Sequence, residues 1–231
     1  IKSLINLNNL DYKSKQQSIK KYLPSFKEII KLQNHKILID YKKNKLNISG
    51  NGELIIEDKI DSLDYKITKK NDEYIFKTNI SINKNPLLID ILKYKKEEDL
   101  DSSLKLDGIY VNNKKIEFNS ILLNEDKNIF LLKNLKLNNK LKINSIDLLD
   151  FKYINNDKIQ NQINLKKDKK NYKIKGRSFD AAKLIDVLLN NENNSDDTSI
   201  FNALNSNIHI EISKTYLDIN TYVENLTGNI E

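Results

Sequence analysis

The sequence predicts a mainly β protein: a long antiparallel meander curled into a groove, with a helical N-terminal stretch and one inserted short helix. Three features support this prediction. From about residue 36 onward, apolar residues alternate with Lys, Asn and Asp, which is the period of a strand with one buried face. Polar turns divide these runs at spacings of roughly 8 to 12 residues, as in antiparallel meanders. No run is followed by a long helical segment, so a parallel, doubly wound sheet is not expected.

Residues 1–34 are predicted to form a helical segment, separate from the β region at 35–231. Leu4, Leu7 and Leu10 recur at three-residue spacing, and later apolar residues recur at three- and four-residue spacing. Pro24 is expected to break this helix, because proline lacks the amide hydrogen that an interior helical position donates.

The first strands are expected between residues 37 and 82. Their apolar residues recur at every second position, and a turn is expected at Gly50–Gly52. Residues 87–94 fit either a short helix or a buried strand, because a short apolar run does not distinguish the two. The strands expected in this region are 37–41, 46–48, 54–56, 63–67 and 74–82.

The meander continues through the second half of the chain, with one interruption. A helix is predicted at about 180–190, where Asp180 can cap the apolar segment 181–189. The Asn-rich loop at 190–197 that follows is expected to be mobile. The remaining strands are expected at 104–111, 116–118, 129–131, 135–137, 141–143, 151–153, 163–165, 172–174, 208–212, 216–219 and around 226–230.

The residues offer little for catalysis or metal binding. The chain has no Cys, which excludes disulfides, thiolate zinc sites and cysteine nucleophiles. Its two His, His35 and His209, are far apart in the sequence, and both are expected at solvent-facing strand or loop positions. The five Gly are scattered and form no phosphate-binding loop. We therefore expect a protein that is not an enzyme and that uses no cofactor and no metal.

The net charge of +7 does not by itself predict a nucleic-acid partner. Lys residues alternate with Asp and Glu along the whole chain, whereas a nucleic-acid binder clusters them with aromatic residues on one face. The single Arg, Arg177, leaves the chain without the usual bidentate reader of phosphate and guanine. The Lys residues are instead predicted to form a solvated face of the sheet.

The apolar face of the predicted meander is the feature that points to a function. Such a face can be covered by other strands, as in a sandwich, or by bound acyl chains in a curled sheet, and the pattern fits both. Ile and Leu dominate this face, while the sequence has seven Phe and no Trp. The candidate groove-lining residues are Ile37, Ile39, Leu46, Ile48, Leu63, Tyr65, Ile67, Tyr74, Phe76, Ile80, Ile82, Leu104, Leu106, Ile129, Leu131, Leu135, Leu137, Tyr172, Ile174, Ile208, Ile210 and Ile212.

One segment also resembles a known family. Gly176, Ser178, Phe179 and Asp180 end a predicted strand and open the helix, and a polar loop with alternating strands follows. This order is similar to the repeat of AsmA-like proteins of the YhdP and TamB kind over residues 170–231, while 36–175 agree in the meander pattern. Within the motif we expect structural roles: glycine permits a bend, Phe179 packs under the helix and Asp180 caps it.

The resemblance implies a role in lipid transport. AsmA-like proteins are anchored in the inner membrane of Gram-negative bacteria and project through the periplasm. Their hydrophobic β groove is thought to pass phospholipid toward the outer membrane. The chain would then be a non-enzymatic segment of such a bridge-like protein, with phospholipid acyl chains as its ligand and outer-membrane proteins among its candidate partners.

The chain carries no Met and no run of about 18 apolar residues that could span a bilayer. We therefore expect it to be a piece of a longer protein whose inner-membrane anchor lies elsewhere. The alternative function is that of a periplasmic or surface β-sheet scaffold or adhesin module, which acts through protein–protein contacts. An apolar concave side favours lipid transport, whereas polar concavities favour the scaffold.

Overall fold

The alternating segments of the sequence pair into one large sheet in a computed structural model of the chain. The structure describes residues 1–14, 20–23, 26, 28–190 and 207–230, with the backbone alone for 188–190. Its elements are β1 (Lys2–Lys13), β2 (Ile29–Lys42), β3 (Lys45–Ile56), β4 (Lys59–Lys70), β5 (Glu73–Ser81), β6 (Leu87–Ile89), a 3-10 helix (Asp90–Leu92), β7 (Tyr94–Lys96), β8 (Ser102–Val111), β9 (Lys115–Glu125), β10 (Asn128–Asn138), β11 (Ile143–Ser145), β12 (Leu148–Ile154), β13 (Gln160–Asp168), β14 (Asn171–Asp180), α1 (Ala182–Asn190), β15 (Ile208–Tyr216) and β16 (Tyr222–Ile230).

The main sheet has fourteen strands, in the order β1-β2-β3-β4-β5-β8-β9-β10-β12-β13-β14-β15-β16, with β11 paired to β10 beside this path. Neighbouring strands are antiparallel except β14 and β15, which pair in parallel. Strands β6 and β7 form a separate two-stranded arm. The prediction of a mainly β, mostly antiparallel fold with one inserted short helix is therefore confirmed for the described residues.

The predicted N-terminal helix is wrong, because β1 and β2 occupy most of that region and pair with each other. The alternation of side chains between the two faces of the sheet is interrupted at Asn34, whose φ is +54°, and at Asn8 opposite it. Leu7 therefore shares a side of the sheet with Leu10, three residues later, although strict alternation would separate them. This irregularity accounts for the three-residue spacing of Leu7 and Leu10, whereas Leu4 lies on the opposite face of the sheet.

The predicted turn at Gly50–Gly52 is also wrong, since these residues lie in the middle of β3. The real hairpin turns are Lys43-Asn44 and Glu57-Asp58, and all four residues have positive φ. Two-residue turns with both φ values positive match the right-handed twist of the flanking strands. The strands are consequently longer than the sequence indicated.

Three parts of the chain cover one end of the apolar face of the sheet. Phe26 packs on Leu54 and Ile56, at the end of β3. The arm, defined as residues 87–96, packs over the central strands through Tyr94. The helix α1 packs beside the arm, on β14 and β15. Residues 87–94, which fitted either a helix or a strand, therefore contain both: β6, the 3-10 helix and the start of β7.

Buried hydrogen bonds fix the arm to the sheet. Lys96 is fully buried, and its Nζ donates to the backbone oxygens of Asn83, Asn85 and Glu97 at 3.1, 2.8 and 2.7 Å. The Tyr94 hydroxyl donates to Glu125 Oε2. Since buried polar groups must find partners, these contacts specify one position for the arm.

The helix α1 is fixed by Asp180, whose side chain is buried at the end of β14. Its Oδ1 accepts a hydrogen bond from the Ala182 N–H at 3.1 Å, which satisfies one of the free amides of the first helical turn. Its Oδ2 accepts from Asn155 Nδ2 at 2.7 Å and lies 3.1 Å from Lys93 Nζ. The predicted capping role of Asp180 is consistent with these contacts. Residues 191–197 of the predicted loop lie outside the described residues.

The described part of the chain contains no helix with the length and hydropathy of a membrane span.

Candidate functional site

One face of the sheet carries a continuous apolar row across its central strands. A row of directly paired residues shows this continuity: Ile48 faces Ile67, which faces Phe76. On the same face, Gly108 separates Phe76 from Phe118, and Phe118 is paired with Leu135. Because cross-strand partners point to the same side, the face extends from β3 to β10 without a charged residue in this row.

One part of the apolar face is a conventional core, which we name the covered part. It contains Leu123, Phe130 and Phe151, on which the arm places Tyr94. The Tyr94 and Phe130 ring centroids are 4.6 Å apart, and those of Phe130 and Phe151 are 5.1 Å apart. These distances are typical of tightly packed aromatic pairs, so the covered part contributes to stability.

A second cluster covers strands β10 to β15 at the other end of the sheet. Ile146, which follows β11, packs on Leu135, Leu165 and Tyr172, together with Ile208 of β15. This region is also closed by the chain itself.

The remaining part of the apolar face, on β2 to β8, is only half-buried, and we name it the open part. Tyr74 lies 5.9 Å from Tyr110 and Phe76 lies 5.9 Å from Phe118, measured between ring centroids within the sheet. None of the four hydrophobic clusters of the described chain includes its residues. The open part consists of Ile37, Ile39, Leu46, Ile48, Tyr65, Ile67, Tyr74, Phe76 and Leu106.

Gly50 leaves room in the open part for the ring of Tyr65. A Cβ on Gly50 would lie 2.5 Å from the Tyr65 hydroxyl, so the Tyr65 ring occupies space that any other residue would fill. Burial raises the pKa of the Tyr65 phenol, which keeps it neutral over the physiological range. The ring therefore adds to the apolar face without adding charge.

Most of the predicted lining residues lie on the apolar face. Ile129 and Leu131 are the exceptions, because the register directs their neighbours Phe130 and Leu132 to that face instead. Of the predicted set, the residues that the chain itself buries are Ile82, Leu135, Tyr172, Ile208 and Ile212. Those packed at the margins of the clusters are Leu63, Ile80, Leu104, Leu137, Ile174 and Ile210. The others form the open part.

Several apolar-face residues were missed by sequence reasoning. Phe130 and Leu132 lie in the run 129–132, in which every residue is apolar. Such a run does not show which of its residues point to the apolar face. Phe118 and Ile121 share the apolar face at a three-residue spacing, because the register shifts where β9 pairs with β8 between Asp107 and Gly108. The aromatic residues could have indicated which positions face the apolar side, since bulky aromatics prefer buried positions.

The motif at the end of β14 has structural contacts throughout. A Cβ on Gly176 would lie 2.8 Å from the Gln162 backbone oxygen, so only glycine fits without a shift. Ser178 Oγ donates to the Gln160 backbone oxygen, and Phe179 is buried against Ile212 and α1. Phe179 packs against α1 and Asp180 accepts from the Ala182 N–H, while Gly176 allows a close backbone approach and Ser178 bonds to β13.

The opposite face is polar and carries two concavities. The larger, of about 710 Å³, crosses β1 to β9 on the reverse side of the open part. We name it the polar trough. Lys77 Nζ lies 2.9 Å from Asp107 Oδ2 in this trough, so part of its charge is internally neutralised. The charged residues that line it are Lys36, Asp64, Lys66, Lys77, Lys105 and Asp107.

The smaller concavity, of about 430 Å³, lies on β12 to β16. Glu211 lines this concavity and accepts from Lys173 and Lys175, whose Nζ atoms are 2.7 and 2.9 Å from its carboxylate oxygens. Hydrogen bonds from these lysines and from His209 lower the pKa of Glu211 to about 2. The carboxylate is therefore charged at any physiological pH.

The two histidines are in different environments. His209 is partly exposed and contacts Asn229 and Glu211, as expected for a polar-face residue. The expectation for His35 is wrong, since it is 1% exposed with its Nε2 3.0 Å from the Glu53 backbone oxygen. Gly52 makes this possible, because a Cβ there would lie 2.5 Å from the His35 ring. The described residues contain no group of three or more His, Cys, Asp and Glu suited to a metal ion.

Comparison with known proteins gave no match to a family model, to a curated protein or to a solved structure.

Proposed function

We propose that the chain is a lipid-contacting β segment, in which the open part of the apolar face holds phospholipid acyl chains. The observation that carries this proposal is that the open part belongs to no hydrophobic cluster of the described chain. Lys69, paired with Leu46 and Tyr74, is a charged residue on the same face, with its Nζ 5.5 Å from the Tyr74 ring centroid. Exposed apolar patches of this kind are typical of sites that bind other apolar groups.

The chemistry of the open part suits acyl chains. Its residues are mainly Ile and Leu, with the rings of Tyr65, Tyr74 and Phe76. Transfer of each CH₂ group from water to such a surface is worth about 0.8 kcal/mol.

The mechanism that follows is passive. Acyl chains slide along the apolar face while the head groups remain in water. Of the rows across β3, β4 and β5, the row of Ile48, Ile67 and Phe76 is purely apolar. We propose that the sheet curls around these chains when lipid is bound, as a groove.

At the level of the whole protein, the proposal extends to an AsmA-like, bridge-like protein. It would conduct phospholipid between the inner and outer membranes through the periplasm of a Gram-negative cell. An anchor elsewhere in the longer protein would reach the inner membrane, and outer-membrane proteins would be further partners. The support for this extension is the resemblance of the Gly176–Asp180 segment and the alternating strands after it.

Site-specific photo-crosslinking tests the lipid proposal. A photoreactive amino acid at Phe76, in the purified chain mixed with phosphatidylethanolamine and phosphatidylglycerol vesicles, should capture phospholipid. The matched control is Ile75, the preceding residue of β5, which points to the polar face and is 39% exposed. Equal lipid capture at the two positions would show non-specific contact, and absence of capture at Phe76 would overturn the proposal.

A second candidate function is a scaffold or adhesin module that acts through protein–protein contacts. It is favoured by the polar trough, because both concavities described above are lined mainly by polar residues. A scaffold predicts that photoreactive groups at Lys66 or Lys77 in the trough capture protein, while Phe76 captures nothing. Lipid extraction from the purified chain separates the two candidates further, since a scaffold carries no phospholipid.

A further inference from the structure

The polar trough is more positively charged than its internal ion pair can balance. Of the six charged residues that line it, four are lysines and two are aspartates. Lys77 is paired with Asp107. Lys36, Lys66 and Lys105 are exposed, and among the described residues they form no ion pair. The lining of the trough therefore keeps an excess of two positive charges.

Two of these lysines face each other directly on interior strands of the sheet. In the register of β4 with β5, Lys66 is the cross-strand partner of Lys77. Directly opposed residues have Cβ atoms about 4.5–5.5 Å apart, and like charges in this position are destabilising. On its other side Lys66 is opposite Ser49, which carries no charge. An anion bound between the two ammonium groups would relieve their repulsion.

A third ammonium group is close to this pair. Lys105 lies on β8, two residues from Asp107, which is the cross-strand partner of Lys77. It is thus a diagonal neighbour of Lys77 on the same face, at a typical separation of about 7–8 Å. Ser49 and Ser120 add hydroxyl groups to the lining. Because ammonium and hydroxyl groups donate to phosphate oxygens, this arrangement fits a phosphate dianion, whose two charges equal the excess.

The smaller concavity has the opposite charge arrangement. The charged residues that line it are equal in number by sign, with Asp150 and Glu211 against Lys175 and Arg177. Glu211 accepts from both Lys173 and Lys175, so one carboxylate serves two ammonium groups. This concavity therefore offers an anion no comparable set of unpaired lysines and serves as an internal control.

The size and the position of the trough restrict its ligand. Its volume, about 710 Å³, is within the range of about 300–1,000 Å³ that small-molecule sites occupy. The trough lies on the reverse side of the open part, so the head group of a lipid held in the open part does not reach it. A soluble molecule is consequently the source of the phosphate that fits here.

We propose that the polar trough binds a small soluble molecule through a phosphate group, which is held between Lys66 and Lys77 with Lys105 beside it. The proposal goes beyond the lipid function and does not depend on it, because the two sites use opposite faces of the sheet. Loss of either site would leave the other intact.

NMR titration of the purified chain with pyrophosphate is the first test. Sodium chloride keeps the ionic strength constant, because salt screens contacts between exposed charges. The amide signals of Lys66, Lys77 and Lys105 should shift and saturate, while that of Lys175 in the smaller concavity should stay in place. Shifts that do not saturate, or equal shifts in the two concavities, would overturn the proposal. Binding of phosphatidylglycerol vesicles without binding of pyrophosphate would also overturn it, in favour of a membrane surface.

Lys66→Glu separates binding from folding. It places a carboxylate opposite Lys77, so the free chain should unfold at a higher temperature, because an attractive pair replaces a repulsive one. The same change should weaken pyrophosphate binding at least tenfold. The matched control is Lys152→Glu, which changes the net charge equally at an exposed position opposite Ile129 and Gln162, and it should bind like the parent chain. Unchanged binding by Lys66→Glu, or an equal loss in the control, would overturn the proposal.

Discussion

Phe76 and Phe118 meet edge to face across Gly108, with 5.9 Å between ring centroids and 80° between ring planes. The two rings lie on β5 and β9, and Gly108 on β8 separates them. A Cβ on Gly108 would lie 2.8 Å from Phe76 Cζ and would clash with the Glu117 backbone oxygen. The missing side chain therefore lets two aromatic rings on non-adjacent strands touch.

We predict that Gly108→Ala destabilises the fold by about 1–3 kcal/mol, the usual range for an added group in a filled space. The backbone oxygen of Glu117 cannot move away without disturbing the β8–β9 pairing. Urea unfolding measures this change. The control is Gly228→Ala on edge strand β16, where nothing lies within 4 Å of the added Cβ. There we expect a small gain of about 0.5 kcal/mol, because alanine loses less backbone entropy than glycine. Equal effects at both sites would contradict the packing argument.

The arm provides a second prediction through its buried tyrosine, Tyr94. Tyr94→Phe keeps the ring contacts but removes the donor to Glu125, which is buried at 6% exposure. An unsatisfied buried carboxylate oxygen should lower the free energy of unfolding by about 1–3 kcal/mol. Chemical denaturation followed by circular dichroism measures the loss.

Tyr153→Phe is the matched control for this prediction. The Tyr153 hydroxyl is buried and has no hydrogen-bond partner in the described structure. Its removal should leave the stability unchanged or slightly higher, because no hydrogen bond is lost and an unsatisfied polar group disappears. A loss as large as that of Tyr94→Phe would show that the effect of removing a tyrosine hydroxyl here does not depend on the hydrogen bond to Glu125.

A third prediction concerns pH and Glu211. Its folded-state pKa, about 2, is below its ordinary value of 4.5, so the charged form is favoured in the folded state. The stabilisation that follows is fully present above pH 4.5 and is lost as the pH falls toward 2. NMR titration of the Glu211 side chain should show the low midpoint. Replacement of Lys173 and Lys175 by Met should move the midpoint upward, and an unchanged midpoint would contradict the assigned cause.

Periodicity predicted the class of the fold because a strand with one buried face repeats every two residues. It did so where alternation was unbroken, as at residues 63–67 and 74–82, which lie in or overlap β4 and β5. The prediction from periodicity failed where a single residue moved the following side chains to the other face of the sheet. Asn8 and Asn34 gave β1 and β2 a spacing that resembles a helix.

The extent of the open part could not be predicted from the sequence. Ile48 and Ile208 occupy the same phase of similar alternating runs, yet Ile208 is buried under Ile146 while Ile48 remains in the open part. The difference depends on which distant segment folds over each strand. Tertiary contacts of this kind leave no local pattern, because the covering residues are far away in the sequence.

The parallel pairing of β14 with β15 has a consequence for the order of folding. The neighbouring strands β13 and β14 can form as a local hairpin, whereas β15 reaches β14 only after the connection through α1 has closed. Closure of a long connection costs entropy before its contacts form. The hairpin of β15 and β16 is consequently a late-docking unit, and hydrogen exchange at this edge should report its separate opening.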